Sequence, residues 1–398
     1  MQTSTDDLSR WRGQFPILDA TVYMISNSLG AMPRGVSDSL ADYAHTWATR
    51  GVRAWEERWW ELALEVGNRI AGIVGAAPGS ISMHPNVTTA EMVALSCLQP
   101  QGRRRKIVCP AMDFPSMIYL YRAHQALGFE LSLVPAEPDF SIRTDRFLDA
   151  IDDETLVVAL SHVLFRSSYV MDAAPIVERA HRHGAIVVLD AFQSAGIIPL
   201  NVAALDVDFA TGGCLKWLCG GPGNAFLYTR PDLLKTVRPR FSGWLARANP
   251  FAFDIDDDTL REDAMRMMNG TPTVPTFYAA LPGLDIITEV GVDRIREKSK
   301  RMTARLLELV GARGWHTVTS RDPARVAGTV AIDLPHASEI AKTLNARDFV
   351  VDFRPGVGIR VSPHFYSTFE EIERLIAEIA RIVERREYEV SALSQAPP

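Results

Sequence analysis

Apolar positions along the chain follow two alternating periods. Short apolar or β-branched runs at residues 81–83, 106–109, 130–134, 156–160 and 186–189 are bounded by turn residues and predict strands. Between them, residues 61–75, 90–98, 115–127, 147–151 and 173–183 predict helices. In the first of these, Leu64, Val66, Ile70 and Ile73 mark the apolar face and Gly75 ends it. Buried runs alternating with helices predict a mostly parallel α/β sheet. Ligands of such sheets gather beyond the carboxyl ends of the strands. Asn86, Asp113-Phe114, Ser161-His162 and Asp190 all lie just past predicted strand ends.

The pattern changes toward both ends. Residues 1–35 read as an arm, with Phe15-Pro16 and Tyr23-Met24-Ile25 extended and Ser26-Asn27-Ser28-Leu29-Gly30 a turn. Residues 36–60 read as helical, broken at Gly51, and carry Trp47, Trp55, Trp59 and Trp60. Such dense aromatics serve packing against another element or subunit, or line a pocket for a flat substrate. Residues 238–258 form a loop long enough to be functional or interfacial. Helices at 277–290 and 292–310 follow a Gly/Pro turn. From Trp315 on, strands at 329–334, 350–351 and 358–362 and a helix at 337–345 form a compact α+β unit. A last helix starts near Ser367, with Glu370 as its capping-box partner. The expected organisation is an arm and helix (1–60) packing with a small domain, a large domain (61–285) and a small C-terminal domain (286–398).

Composition narrows the function. Of 398 residues, 47% are hydrophobic and 23% charged, as in a soluble globular enzyme. A net charge of −6 without a basic block argues against nucleic acid as a partner. Arg103-Arg104-Arg105-Lys106 reads as a solvated turn. No apolar run is long enough to span a bilayer, and the first residues do not form a signal peptide. The expected compartment is the cytoplasm. Cys97, Cys109, Cys214 and Cys219 lack metal-ligand spacing and read as reduced thiols. The histidines are scattered, and no metal is expected.

The chemistry concentrates at residues 186–228. Asp190 ends a buried strand, where a carboxylate needs a partner. Lys216 stands in an apolar, glycine-flanked stretch that lowers an amine pKa. The pair suits pyridoxal phosphate, an Asp for the pyridinium nitrogen and a Lys for the Schiff base, or is a core-edge Asp and a snorkelling Lys. Asn86-Val87-Thr88-Thr89, between strand and helix, is an anion site or a plain Thr N-cap. Arg360, inside a strand, is a carboxylate clamp or a structural salt-bridged arginine.

Together these residues resemble the class V aminotransferase-like branch of fold type I pyridoxal phosphate enzymes, and within it the kynureninases most. The resemblance runs through Asn27-Ser28-Leu29-Gly30 with Pro33, Arg53-Ala54-Trp55, Phe114-Pro115 and Ser161-His162-Val163. It continues through the Asp190-to-Lys216 interval, Gly221-Pro222-Gly223, Ser242-Gly243-Trp244 and Arg360-Val361-Ser362-Pro363 with Tyr366 and Phe369. It implies a large domain with a mostly parallel seven-stranded sheet, a smaller α+β C-terminal domain and pyridoxal 5'-phosphate as cofactor. It also implies a homodimer with the site at the interface and an amino-acid substrate. Lys216 is then the Schiff-base lysine and Asp190 the partner of the ring nitrogen. Phe114 stacks on the ring. Val87 and Thr88 hold phosphate, completed by Trp244 and by Thr271 from a second subunit. Ser161 and Gln193 also touch the cofactor, and Arg360 and Asn27 the substrate.

Three positions depart from the kynureninase pattern. Leu215 replaces a Tyr before the lysine, Met117 replaces the acid of Phe-Pro-Thr-Asp, and Gln193 replaces a His. The implied activity is a kynureninase-like hydrolase or lyase acting on a bulky side chain. Leu215 and Gln193 keep an aminotransferase, a desulfurase or β-lyase, or an epimerase open as alternatives.

Overall fold

The computed structural model describes residues 7–389. Strand β1 (Val22–Tyr23) lies in the N-terminal arm. The main sheet takes β2 (Ile81–His84), β3 (Lys106–Pro110), β4 (Glu130–Val134), β5 (Thr155–Ser161), β6 (Ile186–Asp190), β7 (Phe209–Gly213) and β8 (Ala225–Thr229). Their order is β2-β8-β7-β6-β5-β3-β4. All neighbours are parallel except β8, which runs antiparallel to both β7 and β2.

The helices of this part are α1 (Gly35–Arg50), α2 (Trp60–Val74), α3 (Val87–Ser96), α4 (Pro115–His124), α5 (Thr144–Asp149), α6 (Ala173–Arg182), α7 (Pro231–Leu234) and α8 (Val274–Val290). Successive strand residues point to opposite faces. Val108, Val158, Val187 and Leu189 join a core with α2, α6 and α8. Ile107, Val157 and Val188 join another with α3 and α4. Burial on both faces is why these strands read as continuous apolar runs.

The C-terminal part adds α9 (Val292–Ala312), β9 (Val330–Ile332), α10 (Ala337–Asn345), β10 (Phe349–Val350), β11 (Asp352–Arg354), β12 (Gly358–Val361) and α11 (Phe369–Glu384). β11, β12 and β9 form an antiparallel sheet. Met302, Leu306, Ile359, Val361, Ile372 and Ile376 fill its core, together with Val22 and Met24 of the arm. β1 pairs with β10, so the arm belongs partly to this unit. α1, by contrast, packs on α8.

Several expectations shift. The boundary expected near residue 285 falls inside the continuous helix α8. Phe15 is extended but Pro16 is not: Pro16–Asp19 is a short 3-10 turn, with proline at its first position where no N–H is needed. β11 was not foreseen as separate from β10. The cap of α11 lies one residue on from Ser367. Thr368 Oγ1 accepts from the Glu371 N–H at 3.2 Å, and Glu371 Oε2 accepts from the Thr368 N–H at 2.8 Å. Ser367 is already engaged, its Oγ accepting from the His364 N–H. Among the described residues no helix is long and apolar enough to cross a membrane.

Candidate active site

A cavity of about 430 Å³ opens at the carboxyl ends of the central strands. Asp190, Lys216, Gln193, Phe114, Phe165 and Phe192 are among its walls. Lys216 follows β7 in a turn that other elements hold from outside. Gly30 of the arm donates its N–H to the Leu215 carbonyl at 2.8 Å, and Cys219 donates to the Lys216 carbonyl at 3.1 Å. A Cβ on Gly30 would lie 2.2 Å from the Lys216 oxygen, so only glycine fits. The Lys216 Nζ stands 4.2 Å from the centroid of the Phe192 ring and 5.9 Å from that of Phe114. Burial pushes its pKa down to about 7; Asp190 opposes this, and Arg360 and Arg354 add to it.

Asp190 ends β6 and accepts the Phe192 N–H at 2.7 Å. Burial raises its carboxyl pKa, opposed by that bond and by Lys216. Across β5 and β6, Ser161 stands in register with Asp190. The Ser161 hydroxyl donates to Asp113 Oδ1 at 2.6 Å, and the Phe114 N–H donates to the same oxygen at 2.7 Å. Burial, then the Asp190 charge, push Asp113 up to about 7. Asp113 thus returns a carboxylate to the neighbourhood from which Met117 removes one.

The start of α3 forms another wall. Its cap is Asn86, not a threonine: Asn86 Oδ1 accepts the Thr89 N–H at 2.9 Å. The N–H groups of Val87 and Thr88 have no acceptor within the helix, and both residues line the cavity. Free N–H groups and the positive end of the helix dipole suit an anion such as phosphate.

The other predicted residues divide into two groups. Phe114 is half-exposed on the cavity wall, edge-on to Phe165 at 5.3 Å. Gln193 is clamped, its Nε2 donating to the Asn27 carbonyl and its Oε1 accepting from Trp217 Nε1, both at 3.1 Å. Asn27 is buried, yet its side-chain Nδ2 and Oδ1 have no partner. Trp244 and Thr271 stand off the wall. Trp244 instead packs on Trp60 and Phe251 at 5.5 and 5.7 Å, and Thr271 is solvent-exposed. None of the four early tryptophans lines the cavity; Trp55 packs on Trp59 and Trp60, while Trp47 is exposed.

Arg360 is also off the wall. Its Nε donates to Asp352 Oδ1 at 2.8 Å, its Nη2 to Asp352 Oδ2 and to Ser28 Oγ, and its Nη1 to the Phe165 carbonyl at 2.6 Å. Sequence reasoning missed Asp352, Phe165 and Phe192. Phe192, just after Asp190, was the one with a local signal.

A buried lysine of near-neutral pKa, a carboxylate at a neighbouring strand end and an open helix start share one cavity in a mostly parallel sheet. These define a pyridoxal phosphate enzyme of fold type I, and the residues present fit that cofactor. The chain belongs to the aminotransferase class-V family, which matches residues 22–375. It is 32% identical to an uncharacterized aminotransferase, YcbU, of Bacillus subtilis, over 93% of this chain and 97% of the relative. It is 28% identical to a kynureninase of Bacillus cereus, over 96% of this chain and 93% of the relative. Its fold matches a cysteine desulfurase of Thermococcus onnurineus with a TM-score of 0.83 at 23% identity, over 94% and 98% of the two chains.

Proposed function

We infer that the chain is a kynureninase-like hydrolase or lyase that cleaves a bond in the side chain of a bulky, aryl-keto type of amino acid. The observation that carries this reading is the apolar, aromatic wall facing Lys216. Phe114, Phe165, Phe192, Val163, Leu215 and Met117 offer a flat substituent a dry surface. The full-length similarity to kynureninases supports it.

Pyridoxal phosphate, when bound, withdraws electrons from the substrate α-carbon. The residues supply the rest. The amine of Lys216, its pKa lowered by burial, takes and returns the α-proton. Asp190 would hold a proton at the ring nitrogen, and Phe114 would line the ring's pocket. Val87 and Thr88 bind phosphate through the helix start. Ser161 and Gln193 fix the ring's edge, while Asn27 and Arg360 bind the amino acid. Trp244 would complete the phosphate pocket with Thr271 from a second copy, so the working unit would be a homodimer. Exposed Phe251, Phe253 and Ile255 beside Trp244 support such an interface.

A second reading, transamination, is favoured by Leu215, which leaves the wall beside Lys216 without a phenol. A desulfurase with a cysteine carrier is disfavoured. No cysteine lines the cavity, and burial pushes the Cys97 and Cys214 thiols up to about 12.

The test is to mix the holoenzyme with L-kynurenine, 3-hydroxykynurenine and a panel of amino acids and to identify the products. Alanine with anthranilate or its hydroxylated analogue is the expected result. Pyridoxamine phosphate with a keto acid would sink the hydrolase in favour of the aminotransferase.

A further inference from the structure

The guanidinium assigned to the substrate carboxylate already holds a carboxylate. Asp352 and Arg360 are directly opposed across β11 and β12, and alternation puts Arg354 on the same face as Asp352. Asp352 occupies the Nε–Nη2 edge of Arg360 in a bidentate pair. The Phe165 carbonyl and Ser28 Oγ take the Nη1–Nη2 edge. Ser28 in turn donates to Asp352 Oδ2 at 2.8 Å. Of the five guanidinium hydrogens, only one on Nη1 is left, and a single N–H cannot form a fork. A carboxylate reaching Arg360 must therefore displace one of these acceptors.

Asp352 is the acceptor with somewhere to go. Its Oδ2 lies 3.1 Å from Arg354 Nη2, and the Arg354 side chain is 41% exposed, its Nη1 donating to the Phe353 carbonyl at 2.8 Å. Displacing the Phe165 carbonyl would instead leave a polar backbone group without a partner behind an aromatic wall. Charge points the same way. Two arginines share one carboxylate, and a second carboxylate balances the set.

We propose that Asp352 is an internal stand-in for the substrate carboxylate: it fills the fork of Arg360 in the resting site and passes to Arg354 when an amino acid arrives. Asp352 and Arg354 thereby set how strongly a carboxylate must compete for the site, which makes them specificity-determining residues. This rests on Arg360 as the carboxylate clamp and on neither reading of the reaction.

The experiment titrates the holoenzyme with L-alanine and with L-alaninamide, which share an amine and differ in the carboxylate, and follows the absorbance of the bound cofactor. Wild type should prefer L-alanine. Asp352→Asn removes the competing charge and should tighten L-alanine roughly tenfold while leaving L-alaninamide unchanged. Arg354→Gln removes the landing site and should weaken L-alanine several-fold. The double variant should behave like Asp352→Asn alone.

Weaker L-alanine binding in Asp352→Asn would mean that Asp352 merely holds Arg360 in place, and the proposal would fall. Equal changes for both ligands would also overturn it. Absence of any preference in wild type would remove the Arg360 clamp itself, and the proposal with it. Should Asp352→Asn not fold, Arg354→Gln decides, and unchanged L-alanine binding then overturns the exchange.

Discussion

The two ends of the cavity are built on opposite principles. At the phosphate and ring end, the helix start and one aromatic ring are left open to the cavity. The N–H groups at the start of α3 have no acceptor within the helix, and the Phe114 ring is bare. At the carboxylate clamp, off the cavity wall, the charged group is already matched, with Arg360 held by Asp352, Ser28 and Phe165. An open end suits a cofactor that stays. A matched end suits a substrate that comes and goes, because the protein keeps a buried charge paired between visits.

The sharpest way to break this contrast is at its open end. Lys216→Ala should lower kcat/KM by roughly 10²–10⁴-fold while leaving the fold intact, since it removes the proton-transfer group. Steady-state kinetics on whichever substrate the product screen identifies, beside circular dichroism, checks both halves; activity above a tenth of wild type would reject the assignment. Next in size is Gly30→Ala. Its methyl meets the Lys216 carbonyl, and overpacking of this kind lowers stability by about 1–3 kcal/mol. A thermal melt should show the loss, together with weaker retention of cofactor.

Asn27→Leu probes the one buried amide left unsatisfied. Replacing it with an apolar group of similar size should raise the stability of the cofactor-free protein by about 1–2 kcal/mol in denaturant titrations. Substrate binding should weaken in the same variant. If stability falls instead, the amide is satisfied in solution. The smallest effect is on pH. The folded pKa of Lys216 lies below its ordinary value, so the reactive neutral amine is absent well below pH 7 and fills in above it. The rate at which the cofactor-free protein takes up pyridoxal phosphate should therefore climb through about pH 7 and then level. A rise deferred to the range of an ordinary lysine would show that burial does not tune this amine.

The same contrast explains what could be read before the fold was known. The open end is local in the chain. Asp190 closes one strand, Lys216 follows the next in a glycine-flanked turn, and Asn86 to Thr88 is a strand-turn-helix junction, so each carries its own signature. The sheet was legible because burial on both faces leaves unbroken apolar runs such as Val157 to Leu160. The matched end is not local. Asp352 meets Arg360 only through the register of a hairpin, and Ser28 and Phe165 arrive from distant segments. Nothing in Asp-Phe-Arg discloses its partner. The cap of α11 was misplaced by one residue because Ser367-Thr368 with Glu370-Glu371 offers two overlapping capping boxes, and the bond from His364 decides between them.

The salt bridge between Arg12 and Glu371 bears on how the chain is made. Arg12 reaches the capping glutamate of α11 at 2.7 Å, Val22 pairs with Phe349, and the Met24 carbonyl accepts from the Ser362 N–H. The arm leaves the ribosome first, yet these three seats are translated last. The large sheet has all its strands by Thr229 and can form while synthesis continues. The arm waits, and with it Gly30, which buttresses the Lys216 turn. A nascent chain halted before α11 would therefore carry a finished sheet around an unfinished lysine.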